Sequence, residues 1–75
     1  MGKPLTLGQR LKTARLGAGL TQSQVADAAM IQRLRYVRFE NDEIVEVEKA
    51  ARDLKALAGV LGLSVGKLTG ESDGK

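Results

Sequence analysis

Three arginines, Arg33, Arg35 and Arg38, crowd into the segment QRLRYVRFE over residues 32–40. A guanidinium fork can donate two hydrogen bonds to O6 and N7 of guanine, a contact that lysine copies less well. It can also neutralise a phosphate, which positions a protein on nucleic acid without reading sequence. An isolated Arg-x-Arg-x-x-Arg pattern is more often a solvated face than a DNA reader, so its meaning depends on the element that carries it. If the segment is helical, Tyr36 and Phe39, the chain's only aromatics, share one side and turn inward. Arg33 and Arg38 then stay outward, and Arg35 points to a different side.

The residues before that segment make it the second half of a helix pair. Thr21 with Gln24 has the pattern of a capping box, opening a helix in which Val25, Ala26 and Ala29 face inward. Small residues at 26 and 29 let another helix approach closely. Met30 and Ile31 fall at a tight turn, and a third helix is expected from Gln32 to about Glu40. Two short helices at a steep angle, the second rich in arginine, suit a surface that enters the DNA major groove.

Upstream, Thr6 with Gln9 repeats the capping box. Leu7, Leu11, Ala14 and Ala18 recur at helical spacing until Gly17 and Gly19 end that first helix. Downstream, residues 43–48 (EIVEVE) are ambiguous. From Lys49 the helical pattern returns, with Ala51, Leu54, Ala58 and Leu61 on one face and Gly62 as its stop. Ser64 is placed to cap a last turn that buries Val65 and Leu68. Residues 1–5 read as a flexible arm, 6–70 as one domain, and 71–75 (ESDGK) as a disordered tail. A competing reading makes residues 34–48 a β-hairpin around Asn41-Asp42, which would abolish the third helix.

Composition narrows the function classes. Seventy-five residues allow one small domain with a core near the lower limit of independent stability. Cysteine and histidine are both absent, which excludes disulfides, zinc fingers and histidine-based catalysis together. No metal site, activated nucleophile or phosphate-binding loop is recognisable, so neither an enzyme nor a cofactor is expected. No apolar run approaches the ~20 residues of a membrane span. The start, MGKPLTLG, lacks the apolar core of a signal peptide. A cytoplasmic protein without membrane contact is the expectation. Net charge is +3, with seven basic and three acidic side chains over residues 1–42 against five and six over residues 43–75. The basic excess thus lies in the half that holds the helix pair, as a polyanion-binding face requires.

Taken in order, LGQRLKTAR (7–15), GLTQSQVADAA (19–29), Ile31, the Arg38-Phe39-Glu40-Asn41 end of the third helix and LAGVLGLSVGKLTG (57–70) form a recognisable frame. Over about residues 6–70 the chain resembles the lambda-repressor-like helix-turn-helix domains of the Cro and phage-repressor type. The resemblance implies an all-α, compact five-helix domain whose second and third helices form the reading unit. It places Gln32, Arg33, Leu34 and Arg38 where base-contacting residues project. Thr21, Gln22, Arg35 and Asn41 are expected along the DNA backbone. Arg15 and Glu40 match a structural ion pair between the first helix and the end of the third. Within that frame Arg33 is the candidate for guanine, Gln32 for adenine and Leu34 for a thymine methyl, while Arg38 can reach base or phosphate. The chain departs from the family pattern at Met30 and Asp42, where glycine is usual, and in the longer acidic segment after the third helix.

The implied function is a DNA-binding transcriptional regulator, a repressor reading a pseudo-palindromic operator as a homodimer. One recognition helix reads few base pairs, so a second half-site about one helical turn (~34 Å) away is needed for useful affinity. The rival expectation is a protein-interaction module, such as a co-regulator, antiactivator or antitoxin, with a protein partner suited to the acidic 43–48 segment.

Overall fold

The computed structural model describes residues 5–69; residues 1–4 and 70–75 lie outside the described part, as do most of the expected arm and all of the expected tail. The described residues fold as five helices: α1 (Leu7–Gly17), α2 (Gln22–Ala29), α3 (Arg33–Glu40), α4 (Ala51–Leu61) and α5 (Val65–Thr69). A 3₁₀ turn over Val47–Ala50 precedes α4, and no strand occurs among the described residues. The hairpin reading of residues 34–48 is therefore overturned. Strand periodicity would send residues 36 and 39 to opposite faces, whereas a helix buries both. Tyr36 and Phe39 are 0% and 1% exposed.

Both capping boxes form. Thr6 Oγ1 accepts from the Gln9 amide at 3.1 Å, and Gln9 Oε1 accepts from the Thr6 amide at 2.9 Å. At α2 the same exchange between Thr21 and Gln24 measures 3.1 and 2.8 Å. Ser64 Oγ accepts from the Lys67 amide at 3.1 Å and opens α5. Each cap satisfies amides that a helix start would leave without partners.

The core joins Leu11 of α1, Val25, Ala26 and Ala29 of α2, Ile31, Tyr36 and Phe39 around α3, and Leu54, Leu57 and Ala58 of α4, with Leu68 closing it from α5. Four expected inward positions need correction. On α4, Ala51 is exposed and Leu61 only partly buried, while Ala50 and Leu57 are buried instead. Leu54, Leu57 and Ala58 form the buried face of α4, with Ala51 at its edge and Leu61 at the last residue of the helix. Ala18, at the C-cap of α1, is exposed. Val65, the first residue of α5, is also exposed, while Leu68 one turn on is fully buried.

One close approach was hidden in the sequence. A Cβ on Gly8 would land on the Glu40 carbonyl oxygen and lie 2.7 Å from its carbon and 2.8 Å from Asp42 Oδ2. Asp42 takes φ +59 and turns its carboxylate onto the start of α1, accepting from Thr6 Oγ1 at 2.6 Å and the Gly8 amide at 2.9 Å. A carboxylate at a helix N-terminus is favoured by the helix dipole. Asp42, in the place of a usual glycine, thus ties the end of α3 to α1. Gly8→Ala is expected to lower stability by about 1–3 kcal/mol through overpacking, despite the better helix propensity of alanine. Thermal unfolding checks it: an unchanged or raised Tm would contradict the contact.

Candidate nucleic-acid interface

The α2–α3 corner is locked by its own backbone. Met30 adopts the left-handed conformation (φ +60, ψ +44), with its amide on the carbonyls of Ala26 and Asp27. The Ile31 amide returns to Ala26 O at 2.9 Å, and its side chain is buried. A bulky residue bears a cost of about 1–2 kcal/mol in that conformation. Met30 is 92% exposed, so it gains nothing from packing to offset the strain.

Tyr36 and Phe39 fix the rotation of α3, and the outward side follows. Gln32 is the N-cap and makes no side-chain cap bond. Gln32, Arg33, Leu34 and Arg38 are all exposed. Among the described residues, the guanidinium groups of Arg33 and Arg38 have no ion-pair or hydrogen-bond partner. Thr21 and Asn41, also exposed, stand at the start of α2 and just past the end of α3. The structure therefore gathers these six residues around one helix and its neighbour's start.

Two other expected backbone-contacting residues are already bonded within the protein. Arg35 Nε lies 2.6 Å from Asp53 Oδ2 on α4, and its guanidinium sits 5.3 Å from the centre of the Phe39 ring. Gln22 Nε2 donates to Glu40 Oε1 at 3.0 Å. Arg35 thus brackets α3 to α4, and Gln22 ties the start of α2 to the end of α3.

Glu40 is the centre of the scaffold beneath the corner. Its Oε2 accepts from Arg15 Nε at 2.6 Å and from the Tyr36 hydroxyl at 2.5 Å; Oε1 accepts from Gln22 and, at 3.3 Å, from Arg15 Nη2. Arg15 Nη1 also donates to Leu20 O at 3.0 Å. Both ion-pair partners are buried, and no buried side-chain polar atom among the described residues lacks a partner. Burial pushes the Glu40 carboxyl up, but hydrogen bonds from Arg15, Tyr36 and Gln22 outweigh it and hold the group below the usual carboxylate range. The hydrogen bond to Glu40 raises Arg15 against the opposing effect of burial. Burial, then the bond to Glu40, raises Tyr36.

A carboxylate lowered on folding contributes stability above its unfolded pKa of ~4.3 and loses it as pH falls through the lower folded value. The urea midpoint is expected to stay level from about pH 6 to 7 and to fall below about pH 4.5. A midpoint that holds down to about pH 3 would contradict the charged Glu40 centre.

The helix-turn-helix family model matches residues 11–68. The immunity repressor protein of Bacillus phage phi105 is 36% identical over 67 residues, covering 89% of this chain. The chain spans 44% of that relative's length. No solved structure matches the chain significantly. With the family match running from α1 into α5 across the locked α2–α3 corner, the chain belongs to the helix-turn-helix family, as a lambda-repressor-like domain.

Proposed function

We propose that the chain is a sequence-specific DNA-binding transcriptional regulator, acting as a repressor on a pseudo-palindromic operator as a homodimer. The observation that carries this is the two-sided build of α3. Two rings anchor it from below, while Arg33 and Arg38 stand outward beside Gln32 and Leu34 with no partner among the described residues. Free guanidinium groups on a helix rigidly held at a corner are what major-groove reading needs. Similarity to an immunity repressor supports the regulatory direction.

In this assignment Arg33 reads guanine, Gln32 reads adenine, Leu34 meets a thymine methyl, and Arg38 takes base or phosphate. Thr21 and Asn41 contact the backbone. Gln22 and Arg35, already bonded to Glu40 and Asp53, act as supports that hold the corner in place. The chemistry is recognition, with no catalytic step. No helix among the described residues is long and apolar enough to cross a membrane.

Enrichment from a random duplex library, read by sequencing, tests the proposal. It should return a preferred site with two-fold symmetry and half-sites about 34 Å apart. One observation favours the rival interaction module: Val45 is 90% exposed within the acidic 43–48 segment. Under that reading, no sequence would be enriched.

A further inference from the structure

Beside the free Arg33 lies an open notch of about 320 Å³, lined by Gln22, Arg33, Leu34 and Val37. Leu34 is 64% exposed and Val37 half-buried, so aliphatic carbon faces outward next to an unpaired guanidinium. Val37 belongs to none of the contacts assigned above. In the major groove, the apolar feature that a base pair presents is the C5 methyl group of thymine. A pyrimidine immediately 5′ of a guanine places its C5 substituent next to the O6/N7 edge that an arginine would read. The notch and Arg33 are adjacent in the same way.

Resting on the DNA-reading assignment, we propose that Leu34 and Val37 seat the 5-methyl group of a pyrimidine immediately 5′ of the guanine read by Arg33. Thymine and 5-methylcytosine carry the same methyl group. They differ at the exocyclic group on C4, and the lining offers little to sense that difference. Leu34 and Val37 are apolar, the Gln22 amide is held by Glu40, and Arg33 is assigned to the guanine. A TpG step and a methylated CpG step are therefore bound alike at this place, and unmethylated CpG is bound more weakly. The domain becomes a sensor of cytosine methylation wherever its site contains CpG at that step.

The test uses one random duplex library, enriched by the chain before and after enzymatic methylation of every CpG. Unmodified DNA should yield half-sites with TpG, and methylated DNA should yield both TpG and CpG at that step. Replacing that thymine by uracil in the best site should weaken binding about fourfold, the factor expected for one buried methyl group. Val37→Thr, or Leu34→Gln at the more exposed wall, should bring the thymine-to-uracil ratio toward one. Equal binding of thymine and uracil, or enriched half-sites without such a step, would overturn the notch and leave DNA reading intact. Enrichment of no sequence at all would overturn both.

Discussion

Glu40→Ala is expected to cost about 3–5 kcal/mol of stability, the range for removing one partner from a buried ion pair. The change strips the Arg15 guanidinium, the Tyr36 hydroxyl and the Gln22 amide of a shared acceptor at once. Arg15, buried, would keep its charge and its hydrogen bond to the Leu20 carbonyl but lose its carboxylate. A chain of this length has about 4–11 kcal/mol in total, at 0.05–0.15 kcal/mol per residue. The variant should therefore lose a large share of its stability, as a lowered midpoint in circular dichroism during urea titration would show. Arg15→Met combined with Glu40→Met should recover much of the loss, because no charge is then stranded. A midpoint for Glu40→Ala within error of the parent would remove Glu40 from the centre of the scaffold.

The second large effect lies on the other side of α3. Arg33→Ala should reduce affinity for the preferred site by about 1–3 kcal/mol, or roughly five- to 150-fold, and relax preference at one base pair. Stability should change little, because the Arg33 side chain is exposed and has no partner among the described residues. Titration of the variant against the site and its single-base variants separates the two uses of a guanidinium. Equal weakening on every sequence would make Arg33 a phosphate contact.

Features that depend on neighbours along the chain were legible before the structure. A capping box closes over three residues, so Thr6-Gln9 and Thr21-Gln24 could be read directly. The same holds for Tyr36 and Phe39, whose spacing suits a helix and defeats a strand. Features made by distant segments were not legible. Nothing local marks Gly8 as the seat of the Glu40 carbonyl, or Asp42 as the clasp on α1, since these contacts join residues more than thirty positions apart. The Arg15–Glu40 pairing came from family resemblance, and its further members Gln22 and Tyr36 did not. A glutamine at a helix start looks the same whether it faces a phosphate or an interior carboxylate. Likewise, nothing local marks Asp53, eighteen positions on, as the partner of Arg35.

The central claim is that the outward face of α3 binds duplex DNA through its free cations. Titrating the chain on random-sequence duplex at a series of salt concentrations tests it most directly. Binding should be measurable at low salt and weaken steeply as salt rises, with a log–log slope of about −0.9 for each phosphate neutralised. Binding that is absent even at the lowest salt would contradict it and turn attention to the acidic segment and a protein partner.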